Sequence, residues 1–154
     1  MSNFSKCKKF DVGGLTTDYS AILPHTEVLI FVVDASDKEQ IEEAREKLLE
    51  LLSLKELQEA NLLVYVNKQD LPKAEPVYVI CEALKLNRLR QRKWFIQDCC
   101  AVTGEGLIEG WEWINSNTEA MKGHTLFRLD LHIEYSCTHW KDWAEQFIHV
   151  DDDV

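Results

Sequence analysis

Long hydrophobic runs are absent from this sequence: no apolar stretch approaches the ~20 residues that are needed to cross a bilayer. An excess of positive charge is also absent, because 17 Lys and Arg stand against 27 Asp and Glu, for a net charge of −10. This balance argues against nucleic acid as the default partner and against adhesion of the whole surface to an anionic membrane. With 45% hydrophobic residues, the composition is typical of one soluble globular domain.

Paired cysteine motifs are missing as well. The five cysteines form no Cys-x-x-Cys pair, their number is odd, and no signal peptide is visible. They are Cys7, Cys81, Cys99, Cys100 and Cys137. We therefore expect reduced thiols in the cytosol or nucleus. The sequence starts Met1-Ser2 rather than Met-Gly, so we expect no N-terminal myristoyl anchor on the chain as it stands.

The stretch that organises the chain is Asn67-Lys68-Gln69-Asp70, directly after the strand-like run 62–66. The Asp70 carboxylate has two acceptor oxygens, which suit the paired N–H donors on one edge of guanine; adenine does not offer that pair. The Asn67 amide can tie the loop to the base or to a neighbouring loop. The Lys68 stem can lie across the ring face. An ordinary polar turn explains a four-residue match equally well, so the interpretation depends on other stretches.

Three other stretches strengthen the interpretation of residues 67–70 as a guanine-reading loop. They are Asp11-Val12-Gly13-Gly14, the buried-type strand 28–34 and the segment 100–103. In this order the four stretches resemble the Arf (ADP-ribosylation factor) family of small GTPases, from about residue 11 to about residue 117. The most specific segments are LIFVVDASD, LLVYVNKQDLPKA, RQRKWFIQDCCAVTGEGL and EGWEWI. The resemblance implies an α/β fold of the P-loop NTPase type, with a parallel sheet flanked by helices.

The resemblance also implies roles for residues outside the guanine loop. Asp11 would hold Mg²⁺ through a water, and an amide of Gly13 or Gly14 would bond the terminal phosphate of GTP. The backbone N–H of Ala101, next to Cys100, would contact the guanine carbonyl. An ordinary Gly-Gly turn is the alternative for residues 11–14.

No catalytic residue is assigned. The family carries a Gln that orients the attacking water after its Gly-Gly pair. Leu15 stands at that position and can neither donate nor accept a hydrogen bond. The chain is therefore a GTPase by resemblance only, and we expect negligible hydrolysis.

The phosphate-binding motif Gly-x-x-x-x-Gly-Lys-Ser/Thr is also missing, because the 154 residues contain no Gly-Lys dipeptide. The family's first strand and first helix are not recognisable either, which predicts a partial, N-terminally truncated sheet. Loss of about four phosphate contacts, each worth roughly 1.5–3 kcal/mol, lowers affinity by ~10⁴-fold or more. We therefore expect weak binding of GTP, GDP and Mg²⁺.

Two segments are predicted: a truncated Arf-like domain over 1–118 and an unrelated C-terminal extension over 119–154. Three parallel strands are expected at 28–33, 62–66 and 94–97, with helices on both faces. Alternating residues over 125–135 predict a half-buried strand. An amphipathic helix around 140–148 and an acidic end follow it. In the family the first strand lies beside the strand that corresponds to 28–33, so its absence leaves a gap in the sheet. The alternation of 125–135 argues against this segment filling the gap and favours a position at the edge of the sheet.

Helix signals lie between the strands. Ser36 and Ser53 each open a capping box, the first before a long helix and the second before a short helix to about residue 60. Pro76 predicts a helix to about residue 86. A last helix is expected from Leu107 to about residue 117, with Leu107, Ile108, Trp111 and Ile114 on its inner face.

Three functional hypotheses follow. The first is an Arf-type GTP-binding protein of vesicle and membrane traffic, cytoplasmic or peripheral on Golgi or other membranes. Its partners by resemblance are guanine nucleotide, effectors and exchange factors, with a further protein partner for the Trp-rich tail and no nucleic acid. The second is a nucleotide-independent protein-interaction pseudo-GTPase. The third is a gene fragment or splice product that does not fold.

Overall fold

The computed structural model describes residues 26–118 and 129–134. Within these ranges four strands run in chain order: β1 Val28–Asp34, β2 Asn61–Asn67, β3 Trp94–Asp98 and β4 Leu129–Glu134. Three α-helices are α1 Lys38–Leu52, α2 Val77–Ala83 and α3 Leu107–Asn117, with short 3₁₀ turns at Lys55–Leu57 and Leu86–Arg88. None of the helices within the described ranges is long and apolar enough to traverse a bilayer. The predicted α/β class is confirmed.

The strands form one parallel sheet in the order β3-β2-β1-β4. Every residue of β1 is buried, and in β2 only Asn61 is partly exposed. This burial explains the unbroken apolar runs, because a central parallel strand is covered on both faces. Since all four strands run the same way, Asp34, Asn67 and Asp98 end their strands at one edge of the sheet. Ligands of open parallel sheets bind at this carboxyl edge.

Helices cover both faces of the sheet, as predicted. On one face α1 and α2 pack over Leu29, Phe31 and the other odd-numbered apolar residues of β1. On the other face α3 packs over Val28, Ile30 and Val32. Full burial of such side chains stabilises the fold by roughly 1.5–3 kcal/mol each.

Strand β4 falls within the predicted tail strand 125–135 and pairs with β1, in a register that places Val28 opposite Leu129 and Val32 opposite Glu134. It is an edge strand of the described sheet, as its alternation predicted. Its neighbour is β1, however, and this is the position that the alternation argued against. The backbone explains the difference, because unpaired N–H and C=O groups along the side of β1 need partners whatever the side-chain pattern of the incoming strand.

The capping box predicted at Ser36 is wrong. Asp37 caps α1, and its side chain accepts a hydrogen bond from the Gln40 N–H at 3.4 Å. The Ser36 hydroxyl and N–H instead both donate to Asp34 Oδ1, at 2.6 and 2.9 Å, and Ser36 lies one residue before the cap. The inner face of α1 is confirmed: Ile41, Ala44, Leu48 and Leu51 are buried.

The box predicted at Ser53 is also wrong. The Ser53 hydroxyl donates to the Glu50 carbonyl oxygen at 2.6 Å and so ends α1, and only a 3₁₀ turn follows. Helix α2 ends earlier than predicted, because Lys85 adopts a left-handed φ of 56° that breaks the helix.

The bounds of α3 are as predicted, but Ile108 does not lie on its inner face and is 60% exposed. Leu107, Gly110 and Ile114 form that face, since positions three and seven residues apart share one side of a helix, and Trp111 packs against the same cluster as predicted. The tail helix expected around 140–148 and the acidic end lie outside the described residues.

Candidate guanine-binding site

Two loops meet at the carboxyl edge of the sheet: residues 67–70 after β2 and residues 99–103 after β3. Backbone hydrogen bonds join them, from the Gln69 N–H to the Cys99 carbonyl at 3.2 Å and from the Cys99 N–H to the Val66 carbonyl at 2.9 Å. Five residues predicted from the sequence are thereby brought together: Asn67, Lys68, Asp70, Cys100 and Ala101.

Asn67 ties the two loops together. Its side chain is buried, and its Oδ1 accepts the backbone N–H of Ala101 at 2.9 Å and the Cys99 thiol at 3.8 Å. Of the two roles expected for this amide, the structure shows the tie to a neighbouring loop. The Ala101 N–H, predicted to contact the guanine carbonyl, is engaged by Asn67, so a base would have to share it.

Asp70 presents its carboxylate at the surface. The Lys68 carbonyl accepts the Leu71 N–H at 3.0 Å, and this turn lifts Asp70 out of the sheet. The thiol of the buried Cys100 donates to Asp70 Oδ1 at 3.4 Å. The Asp70 carboxylate, which is predicted to recognise guanine, is therefore accessible to a ligand, and the buried Cys100 thiol orients one of its oxygens.

Lys68 has a left-handed φ of 64°, and its ammonium lies 2.5 Å from Asp34 Oδ2. The Asp34 side chain is 6% exposed and that of Lys68 is 31% exposed. Burial raises the pKa of Asp34, but hydrogen bonds from Lys68 and Ser36 and the lysine charge outweigh burial and hold the pKa below its ordinary value. The ion pair is therefore intact at neutral pH.

Sequence reasoning missed Asp34 as a member of the site. The available signal was a carboxylate that directly follows six buried apolar residues. A charge in such a place is rarely buried without a partner. Its partner stands 34 positions away in the chain, and no local pattern connects the two.

Gly106, which the sequence analysis also missed, shapes the second loop. The Cys100 N–H donates to the Glu105 carbonyl at 2.9 Å and closes the loop, and Gly106 then turns the chain into α3 with a φ of 80°. A Cβ on Gly106 would lie 2.0 Å from the carbonyl oxygen of Asp98. Only glycine fits this turn, because both the φ and the space exclude a side chain.

An open depression of about 580 Å³ is lined by residues 36–39 and 72–76. Lys38 and Glu75 form an ion pair across it at 2.5 Å. None of the predicted base-contacting residues lines this depression. The depression is therefore separate from the residues that the sequence predicts to contact the base.

The remaining predicted residues, Asp11, Gly13 and Gly14, lie outside the described residues, as does Leu15. Over 26–118 and 129–134, no group of three or more His, Cys, Asp or Glu side chains is arranged to hold a metal ion. The magnesium site and the phosphate contacts predicted for residues 11–14 stay predictions.

Comparison with known proteins identifies the family of the chain. Residues 2–118 match the model of the ADP-ribosylation factor family. The matched region covers most of the chain and contains both loops that are predicted to contact the base, strands β1 to β3 and the Asp11–Gly14 motif. Members of the family bind GTP or GDP together with Mg²⁺ and work with effectors and exchange factors. The chain belongs to the ADP-ribosylation factor family of small GTP-binding proteins.

Proposed function

We propose that this protein binds guanine nucleotides through the loops 67–70 and 99–103 and hydrolyses GTP negligibly. The observation that carries the proposal is the double link between the loops. Asn67 Oδ1 lies 2.9 Å from the Ala101 nitrogen, and Asp70 Oδ1 lies 3.4 Å from the Cys100 sulfur. Each link joins a residue of one predicted loop to a residue of the other, so the guanine-reading groups are held in place before a ligand arrives.

Asp70 would provide the specificity. Its two carboxylate oxygens accept two parallel N–H groups of guanine, whereas adenine would set a ring acceptor against the same carboxylate. A polar group left unpaired in a bound complex costs roughly 1–3 kcal/mol. This cost disfavours adenine nucleotides.

Lys68 would provide a platform for the ring. Its ammonium is anchored by Asp34, so the alkyl stem is already restrained at the sheet edge. A free lysine side chain loses up to about 2 kcal/mol of rotamer entropy when it is ordered. Because the ion pair already orders the Lys68 side chain, part of this entropy is lost before the base binds.

The residues expected to contact the phosphates of the nucleotide support weak binding and weak hydrolysis. The sequence contains no Gly-Lys dipeptide, and Leu15 stands at the position of the water-orienting Gln. Mg²⁺, where bound, supplies positive charge to the terminal phosphates. Asp11 is the residue of this chain proposed to hold it through a water, and Gly13 or Gly14 the one to contact the phosphate.

Family membership supports a cellular role in vesicle and membrane traffic, through protein effectors and exchange factors. It also supports a cytoplasmic location with peripheral attachment to Golgi or other membranes. Co-localisation of the tagged protein with Golgi markers tests this part of the proposal, and a uniform distribution that ignores membranes would count against it.

Thermal unfolding with GDP, GTP or ATP at millimolar concentration with Mg²⁺ tests nucleotide binding. A ligand that binds only the folded state stabilises it by RT ln(1 + [L]/Kd). We expect a Tm increase with guanine nucleotides alone, lost in Asp70→Asn. The control Glu109→Gln changes an exposed carboxylate of α3 and should keep the increase.

The alternative function is a nucleotide-independent interaction protein, which Leu15 and the missing Gly-Lys dipeptide favour. It predicts a cooperative melt that no nucleotide shifts. That outcome would refute guanine binding and direct the search to protein partners. A chain without any cooperative melt would instead support the hypothesis of a fragment that does not fold.

A further inference from the structure

Gln69 is the one residue of the 67–70 loop to which no contact with the base has been assigned. Its side-chain Nε2 donates a hydrogen bond to the carbonyl oxygen of Glu75 at 3.1 Å, six positions further along the chain. Its backbone N–H donates to the Cys99 carbonyl oxygen at 3.2 Å. Gln69 is therefore fixed to the second loop by its backbone and to the far end of its own connecting segment by its side chain.

Glu75, which accepts the bond from Gln69, is itself held at the end of β1. Its N–H donates to the Ala35 carbonyl oxygen at 2.8 Å, and the Ala35 N–H donates to the Asn67 carbonyl oxygen at 3.1 Å. Ala35 is fully buried. These bonds connect both ends of the segment 67–75 to one buried residue, and the Gln69 amide is the side-chain link that completes the ring.

The direction of the Asp70 side chain depends on this ring. Asp70 is exposed and directly follows Gln69, and the next residue, Leu71, donates its N–H to the Lys68 carbonyl oxygen at 3.0 Å. A carboxylate accepts two parallel N–H groups only when its plane is aligned with both donors. Because Gln69 is held by its backbone and by its side chain, the chain cannot rotate there and turn the Asp70 carboxylate out of alignment.

We propose that Gln69 is a specificity-determining positioning residue, which aligns the Asp70 carboxylate with both N–H groups of guanine and so selects purines that carry a 2-amino group. This inference rests on the proposed function, because Asp70 is the residue that would read the base. Inosine keeps the ring N–H of guanosine but lacks the 2-amino group, so it offers Asp70 one donor instead of two. A misaligned carboxylate can still accept one donor, and it loses only the second bond.

The ratio of the affinities for GDP and inosine diphosphate, measured by calorimetry with Mg²⁺, tests the inference. Both nucleotides have the same sugar and phosphates, so contacts of the protein with these groups cancel in the ratio. We expect wild-type protein to bind GDP about tenfold more tightly, the effect of one additional charge-assisted hydrogen bond. Gln69→Met removes the donor at similar side-chain length and should lower the ratio to about threefold or less.

Three further variants separate the hydrogen bond from other effects of the substitution. Gln69→Lys retains an N–H donor that is long enough to reach the Glu75 carbonyl, so it should keep the wild-type ratio. Gln69→Asn retains the amide, but it is one methylene shorter and should lower the ratio as Gln69→Met does. Gln58→Met makes the same change at an exposed position before β2, at the opposite edge of the sheet, and should leave the ratio unchanged.

A wild-type ratio in folded Gln69→Met protein would overturn the inference and leave guanine binding intact, even if both affinities fell together, because that result would show an effect on the stability of the loop alone. If Gln69→Met does not melt cooperatively, Gln69→Asn decides in the same way. A lowered ratio in folded Gln69→Lys protein, or a wild-type ratio near one, would also overturn it. If wild-type protein binds neither nucleotide, the proposed function fails together with the inference.

Discussion

The hydroxyl of Tyr65 donates a hydrogen bond to the carbonyl oxygen of Leu107 at 2.7 Å. Tyr65 is 1% exposed and lies in β2, two residues before the base-contacting loop, while Leu107 is the first residue of α3. Burial raises the pKa of the Tyr65 hydroxyl, so this proton stays in place throughout the neutral range. The bond fixes the start of α3 against the strand that carries Asn67.

Tyr65→Phe should lower the free energy of unfolding by about 1 kcal/mol, because a buried hydrogen bond is lost while the ring remains. Urea unfolding with a two-state fit measures the change. Tyr78→Phe is the matched control, since Tyr78 is 68% exposed and should stay within about 0.5 kcal/mol of wild type. Equal losses in the two variants would contradict a structural role for the Tyr65 hydroxyl.

Gly106→Ala should destabilise the protein by more than Gly104→Ala. Both glycines have a left-handed φ, 80° and 82°, so both substitutions have a backbone cost of about 1 kcal/mol. Only at Gly106 would the new Cβ meet an atom, the Asp98 carbonyl oxygen at 2.0 Å, whereas nothing lies within 4 Å at Gly104. Chemical denaturation of both variants isolates the steric contribution, and equal losses would show that the turn has room for a side chain.

Cys100→Ala should weaken guanine binding by a few-fold, because Asp70 loses the thiol that orients one of its oxygens. Cys100→Ser retains a donor at that position and should restore the affinity. Calorimetry with GDP on both variants makes the comparison. A serine variant as weak as the alanine variant would show that Cys100 acts through packing and not through Asp70.

The part of the free energy of unfolding that depends on the Asp34 carboxylate should be lost at acid pH. Its folded-state pKa is lowered by Lys68 and Ser36, so the folded state favours the carboxylate more strongly than the unfolded state does. The resulting stability is present above the unfolded pKa, near 4, and is lost as the pH falls through the lower folded pKa.

Unfolding free energies of wild type and Asp34→Asn, compared between about pH 2 and pH 7, measure this contribution. The difference between the two proteins should shrink toward acid pH. Glu112→Gln, on the exposed side of α3, is the control for a change in overall charge. A difference that stays constant with pH would mean that Lys68 does not stabilise the Asp34 carboxylate.

Much of the architecture could be predicted from the sequence because it depends on neighbours in the chain. The unbroken run of β1 demands burial on both faces, and the spacing of Ile41, Ala44 and Leu48 demands one buried helix face. The position of the 67–70 loop directly after β2 was predictable because a four-residue motif follows a strand-like run, and its contact with a base stays a prediction.

Local patterns failed where a residue had a competing long-range or neighbouring partner. Ser36 resembles a helix cap, but Asp34 binds its hydroxyl, and Asp37 caps the helix instead. Ile108 is apolar and adjacent to the buried Leu107, yet the helix turns it outward by about 100°.

The sequence by itself determined the chain order of the strands and the three α-helices, the position of the 67–70 loop after β2 and the absence of a Gly-Lys dipeptide. Only the tertiary structure decided that Asp34 forms an ion pair with Lys68, that the Cys100 thiol donates to Asp70 and that β4 lies beside β1. The first two contacts join residues at least 30 positions apart in the chain. Such contacts arise from the order in which parallel strands lie side by side, and that order follows from backbone pairing and core burial of the whole domain.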